Sequence, residues 1–282
     1  MVMDIKPLSE VMGARVVGLD PTSELSESEL RDLESAFLEY HVLCIEAEPL
    51  TSHEFFHFAK NFGNPQKQLL RNQWDNQYPE VSLLESTYVG ARSKPDDLST
   101  VRLSGWHTDD SYFKNPAKAT VLQALAIPQS GGETCFINTR KAFEEMPERA
   151  RSNIENLTAV HAYDTIRASA QAQKLTDKEL SETEDAEHPL VRTHEETGYK
   201  AIYFNPNRTD RVVGMDRKDS DLLLDVLYAW LTRYEFQYHH IWQIGDILLW
   251  DNRCLLHSVN VDYPIGQKRM HQRILLKGNR PV

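Results

Sequence analysis

Cysteine is scarce: the 282 residues hold 3, with no CxxC pair. Cys44, Cys135 and Cys254 are odd in number and each sits in an apolar stretch, which excludes a disulfide framework and predicts reduced core thiols. Long apolar runs are missing too. Stretches such as Asp246 to Trp250 fall far short of the roughly 20 residues that span a bilayer. The opening residues Met1 to Lys6 lack the apolar core of a secretory signal. Together these absences predict a cytoplasmic protein that does not use a membrane. No GxGxxG or P-loop pattern occurs, which argues against a nucleotide-binding α/β fold. Basic residues are outnumbered, 31 Lys+Arg against 42 Asp+Glu, for a net charge of −11. Nucleic acid is therefore an unexpected partner, because duplex affinity rests on clustered positive charge. The same balance would repel a small anion at long range unless arginines were concentrated locally. No repeat, linker or low-complexity block interrupts the chain, and one domain over residues 1–282 is expected.

What is present is a helical start followed by strands. Ser26 with Glu29, and Thr51 with Glu54, have capping-box spacing and precede apolar residues at helical intervals. Residues 41–45 read as a buried strand between these helices. Residues 66–105 are polar and irregular apart from a short strand at 81–84, and read as a lid. Strands are expected at 119–127, 134–137, 190–193, 200–204, 246–250 and 272–277. Residues 140–187 read as a helical insertion, and Ser220 to Tyr234 as an amphipathic helix. Short turns and no βαβ alternation predict a mainly β fold with flanking helices, of the double-sheet jelly-roll (double-stranded β-helix) kind.

Two histidines stand out among the eleven. His107 and Asp109 lie two apart, so in an extended strand both would face one metal ion. His257 follows an apolar strand far downstream. Two imidazoles and one carboxylate leave open positions on an octahedral ion, as in non-haem Fe(II) oxygenases. A Zn(II) hydrolase would accept the same ligands, and a non-catalytic jelly-roll binding protein is the bland alternative. His41, His53, His57, His161, His188, His194, His239 and His240 read as surface, turn or core residues. The adjacent His239 and His240 should point to opposite faces of a strand. Arg269, His271 and Arg273 share one alternation, so His271 could line the same pocket as the two arginines.

The order of several motifs carries a family resemblance. Gly13-Ala14 with Gly18, Phe62-Gly63, Trp106 to Asp109, Gly131 to Thr134, His188 to Val191, His194 to Gly198, Gly245 to Arg253 with His257, and Arg269 to Arg273 before Gly278 occur in sequence. The chain resembles the Fe(II)- and 2-oxoglutarate-dependent dioxygenases of the taurine dioxygenase/2,4-dichlorophenoxyacetate dioxygenase type over nearly its whole length. That resemblance implies Fe(II) bound by His107, Asp109 and His257. It implies that Thr134 and Arg269 hold the distal carboxylate of 2-oxoglutarate, with Trp250 packed beside this co-substrate. Arg273 would meet the acidic group of the primary substrate. The implied reaction uses O2 to hydroxylate an unactivated C–H bond and releases succinate and CO2; desaturation is the alternative outcome. Retention of Asp109 sets the chain apart from halogenating relatives, which replace this carboxylate. Relatives of this type are often dimers or tetramers, so a homo-oligomer is expected.

Two positions depart from the taurine pattern. Gln68 stands where the taurine enzyme has a sulfonate-gripping histidine, and Leu103 where it has an asparagine. Both argue against taurine itself. Tyr88, Arg92, Lys94 and Arg102, in the lid, are expected to set the substrate.

Overall fold

The computed structural model describes residues 3–86, 105–168 and 174–282. Among these residues the N-terminal part forms β1 (Asp4–Pro7), β2 (Ala14–Val17), α1 (Glu27–Tyr40), β3 (Val42–Ile45), α2 (Ser52–Ala59), β4 (Pro65–Gln66) and β5 (Ser82–Glu85). The middle forms β6 (Ala119–Ala126), β7 (Thr134–Asn138), α3 (Thr139–Glu144), α4 (Glu148–Ile154), β8 (Thr158–His161), α5 (Asp177–Leu180), β9 (Ala186–Pro189), β10 (Val191–Thr193), β11 (Lys200–Ile202) and β12 (Thr209–Val212). The chain closes with α6 (Arg217–Leu231), β13 (Gln237–His240), β14 (Ile247–Asp251), β15 (Leu255–Val259) and β16 (Met270–Leu276). The protein is mainly β with helices at its flanks.

Both expected capping boxes form. The Ser26 hydroxyl accepts the Glu29 N–H at 3.2 Å while the Glu29 carboxylate accepts the Ser26 N–H at 2.8 Å, and Thr51 and Glu54 repeat the arrangement. Helix α1 buries Leu33, Ala36 and Phe37 and ends where His41 takes a left-handed conformation (φ 63°). Those side chains pack on one face of the large sheet.

That sheet runs β1-β2-β3-β14-β6-β16-β4, with β5 also paired to β16. All its pairings are antiparallel except β2 with β3. Strand β14 lies inside it and is buried on both faces. Ile247 and Leu249 join the helix-side core, whereas Leu248 and Trp250 face a second core shared with Phe136 of β7 and Leu255 of β15. Burying each such side chain is worth about 1.5–3 kcal/mol, which fixes the register of the strand. The facing sheet has the order β13-β7-β15. His239 and His240 of β13 do point apart. His239 lies near Glu133 and Cys135, and His240 near Cys44 and Asp246.

Two local expectations needed correction. The stretch 140–187 is not a helical insertion: α3, α4 and α5 are short, and β8 and β9 lie within it. Pro147, the N-cap of α4, separates the first two helices, since a proline ring cannot continue the preceding turn. Strand β8 pairs with both β12 and β9, so long-range pairing overrides the local helical reading. The second correction concerns Trp106 to Asp109, which is not a strand. His107 makes an isolated bridge to His257 and the chain turns immediately afterwards, with Asp110 left-handed at φ 57°. The expected lid is described in part. Its described part, residues 66–86, contains a 3-10 turn at Arg71–Gln73 and β5, which adds to the large sheet. Tyr88, Arg92, Lys94, Arg102 and Leu103 lie outside the described residues.

Candidate active site

The two sheets enclose a cavity of about 530 Å³, within the size range of small-molecule sites. Strand alternation supplies its walls. On β16 and the residue before it, Arg269, His271 and Arg273 line the cavity, while Ile274 and Leu276 join the helix-side core. Thr134 of β7, and Trp250 of β14, also line it.

His107, Asp109 and His257 converge at its floor. The bridge holding them has two backbone bonds, His107 N–H to His257 C=O at 3.0 Å and His257 N–H to His107 C=O at 2.7 Å. The imidazole centroids lie 4.0 Å apart, and one donor atom from each of the three residues falls within 4.8 Å of the others. Asp109 Oδ1 is 3.9 Å from His107 Nε2 and Oδ2 is 3.8 Å from His257 Nε2. These separations are too long for hydrogen bonds, and suit atoms that share one ion at about 2.0–2.2 Å each. The His107 Nδ1 lies 3.0 Å from the Gly105 carbonyl, which places its proton there and frees Nε2. Burial pushes the His257 imidazole down to about 3 and moves His107 in the same direction, so both are neutral ligands near neutral pH. Burial opposes ionisation of Asp109, but His257, Arg273, His107 and the Thr120 hydroxyl hold its carboxyl down to about 2. The donor set therefore fits a divalent transition ion.

Arg269 sits deeper, 5% exposed. Its Nε donates to the Gly132 carbonyl at 3.0 Å and its Nη2 to the Thr134 hydroxyl at 3.2 Å. Gly131 and Gly132 are both left-handed; a Cβ on Gly132 would lie 3.4 Å from Arg269 Cδ, and one on Gly131 only 2.4 Å from an Asp262 carboxylate oxygen. No described carboxylate pairs with this guanidinium, and burial lowers it to about 10. Thr134 Oγ accepts a second hydrogen bond, from Trp242 Nε1 at 3.0 Å. With both lone pairs engaged, the threonine proton is left to donate to a third partner. A buried cation beside a poised hydroxyl donor suits a carboxylate.

The remaining candidates take more specific positions than the sequence implied. The Trp250 ring packs 4.8 Å from the His257 ring. His271 is fully buried against Trp242 and lines the cavity, 3.5 Å from Arg269 Nη1. Arg273 donates to Gln68 Oε1 at 2.6 Å and lies 3.5 Å from Asp109 Oδ1. Sequence reasoning missed the support beneath Asp109. Thr120 donates to Asp109 Oδ2 at 2.6 Å, accepts from Asn252 Nδ2 at 2.8 Å, and Asn252 in turn accepts from Trp250 Nε1 at 3.1 Å. A threonine in the otherwise apolar start of β6 was the available signal.

Comparison with known proteins gives the family. Residues 4–275 match the model of the Taurine catabolism dioxygenase TauD, TfdA family. The chain belongs to this family. An alkylsulfatase of Acinetobacter baylyi is 32% identical over 98% of this chain and 85% of the relative. A (S)-phenoxypropionate/alpha-ketoglutarate-dioxygenase of Sphingobium herbicidovorans is 32% identical, over 96% of this chain and 94% of its own length. Among solved structures, AAD-2 in complex with Mn(II) and N-oxalylglycine has a TM-score of 0.81 and 28% identity, covering 100% of this chain and 99% of that one. Among the described residues no helix is long and apolar enough to cross a membrane.

Proposed function

We propose that the chain is an Fe(II)- and 2-oxoglutarate-dependent dioxygenase that hydroxylates an unactivated C–H bond of a small acidic substrate, releasing succinate and CO2. One observation carries this reading: an open two-His, one-carboxylate cluster shares a cavity with a buried guanidinium that no carboxylate among the described residues pairs. His107, Asp109 and His257 would hold Fe(II). Arg269 and Thr134 would hold the distal carboxylate of 2-oxoglutarate, with Trp250 as the wall beside it. When bound, these partners and O2 supply the oxidising power that transfers one oxygen atom to the substrate. The protein contributes position. Thr120 orients one oxygen of Asp109, Gly105 fixes the tautomer of His107, and the apolar residues Leu122 and Val259 keep water from the reacting end.

Arg273 adds positive charge to the substrate side. Gln68 accepts one hydrogen bond from it where a taurine enzyme would present a histidine, which supports an acidic substrate other than taurine. The facing sheets support a double-stranded β-helix, and residues 66–105 a lid, since Gln68 to Ser86 already contribute to the cavity wall. We read the chain as one domain, because the metal ligands come from distant segments that meet at one floor. Three buried free thiols support a reducing, cytoplasmic setting. Exposed Leu222 and Val226, one turn apart on α6, support a homo-oligomer, a dimer or tetramer, which sedimentation would test. The direct test of the chemistry is anaerobic. Wild type with Fe(II) and 2-oxoglutarate should show a weak metal-to-ligand absorption band that His107→Ala lacks. A wild type with no band, and no succinate in air with any acid offered, would reject the reading; turnover without O2 or 2-oxoglutarate would favour the Zn(II) hydrolase.

A further inference from the structure

Strand β13 carries two adjacent histidines, and the cluster of His107, Asp109 and His257 uses neither. His240 turns inward to Cys44 and Asp246. All three side chains are buried there and the donors already face one another, with Cys44 Sγ 3.9 Å from His240 Nε2. His239 turns outward. It meets Glu133 and Cys135, and one donor atom from each of these three residues falls within 4.8 Å of the others.

Strand pairing builds this outer group. Thr134 lines the cavity and Phe136 joins the second core, so Glu133 and Cys135 fall on the opposite face of β7. Cys135 lies directly across from His239 of β13. Opposed side chains of an antiparallel pair are close neighbours, about 4.5–5.5 Å apart at Cβ. The Asn260 N–H closes on the Glu133 carbonyl at 3.0 Å, which carries the pairing of β15 with β7 one step further and fixes Glu133 in line with Cys135.

Each donor is prepared by its surroundings. His239 Nε2 donates to Gln237 Oε1 at 2.9 Å, which puts the ring proton there and leaves the Nδ1 lone pair facing Glu133. Nδ1 lies 3.5 Å from Glu133 Oε2, too far for a good hydrogen bond and close enough to share one ion. Asn260 Nδ2 holds the same carboxylate oxygen at 3.0 Å. No Lys or Arg among the described residues forms an ion pair with Glu133. Cys135 is a free cysteine, 1% exposed, and its thiol makes no hydrogen bond among the described residues. The side chains of His239 and Glu133 are 36% and 26% exposed, which gives an ion a path in and leaves room for a water ligand.

We propose that Glu133, Cys135 and His239 form a second metal site, on the outer face of β7, for a thiolate-binding divalent ion of the Zn(II) type. A thiolate, an imidazole and a carboxylate are the three protein ligands, and water takes the fourth tetrahedral position. Cys135 releases its thiol proton to solvent as the ion binds, and the two anionic ligands then balance the 2+ charge. Sulfur separates this site from the cavity cluster, whose donors are nitrogen and oxygen only. The site does not depend on the dioxygenase reading.

The test is an anaerobic Co(II) titration of the reduced, metal-stripped protein, because a Co(II)–thiolate bond adds a near-ultraviolet charge-transfer band that nitrogen and oxygen ligands do not give. Wild type should show the band. His107→Ala, which removes a donor from the cavity cluster, should keep it, and Cys135→Ser should lose it. His239→Ala and Glu133→Gln, both at exposed edges, should each weaken the Co(II) affinity read at this band by tenfold or more. Zn(II) should displace the cobalt and bleach the band. A wild type without the band overturns the proposal, as does a band lost in His107→Ala or one that Zn(II) leaves in place. A band that survives in Cys135→Ser also overturns it, by placing the ion at Cys44 or Cys254. If Cys135→Ser does not fold, the two exposed variants decide: an unchanged affinity in either one overturns the site.

Discussion

Arg253 and Arg269 are both buried guanidiniums, 4% and 5% exposed, yet they live in opposite surroundings. Arg253, in the turn from β14 to β15, grips Asp251 through Nε at 2.8 Å and Nη2 at 2.7 Å, and reaches Glu196 at 2.9 Å. His194 adds a contact to Asp251 at 2.9 Å. Burial disfavours both charges; even so, Arg253 and His194 hold Asp251 below the usual carboxylate range, and the carboxylates push Arg253 up. Arg269 has a carbonyl and a hydroxyl for company, and burial pushes it down. A satisfied buried charge holds the fold, and an unsatisfied one marks where a ligand completes the pairing.

The largest expected effect breaks the satisfied side. Arg253→Ala leaves buried Asp251 without its guanidinium, with only His194 and the backbone N–H of residue 253 beside it, and should cost about 3–5 kcal/mol in urea unfolding. If it costs under about 1 kcal/mol, the network is ornamental. The acid limb sharpens the same point. Asp251 has a depressed folded pKa, so its contribution is present above its unfolded value of about 3.9 and is lost as pH falls further. The deficit of Asp251→Asn, about 1–3 kcal/mol at pH 7, should therefore shrink towards pH 3. A deficit that is constant with pH would contradict the ionised pairing. The smallest effect lies beneath the His107, Asp109 and His257 cluster. Thr120→Val removes the hydroxyl donor to Asp109 at nearly constant volume and should weaken Fe(II) binding about tenfold, measured by anaerobic titration. An unchanged affinity would show that Asp109 needs no such support.

How much of this was legible in the sequence follows the same division. Capping boxes at Ser26 and Thr51, and the alternation of Arg269, His271 and Arg273, depend on neighbours in the chain, and they were readable. The bridge between His107 and His257 joins segments far apart, so the expected strand at Trp106 proved to be one bridge and a turn. Strands β8 and β9 were lost in an apparent helical stretch because only their pairing with each other and with β12 defines them.

The central claim is that Arg269 is buried for a ligand and not for the fold. The most direct measurement is thermal or urea unfolding of wild type and Arg269→Ala, each with Mn(II), with and without N-oxalylglycine. At a concentration a hundredfold above its Kd, the analogue should stabilise wild type by about 2.7 kcal/mol. Arg269→Ala should unfold within about 1 kcal/mol of wild type when the analogue is absent, since no ion pair is broken, and should gain far less when it is added. A variant that loses as much stability as Arg253→Ala, or that gains as much from the analogue as wild type does, would contradict the claim.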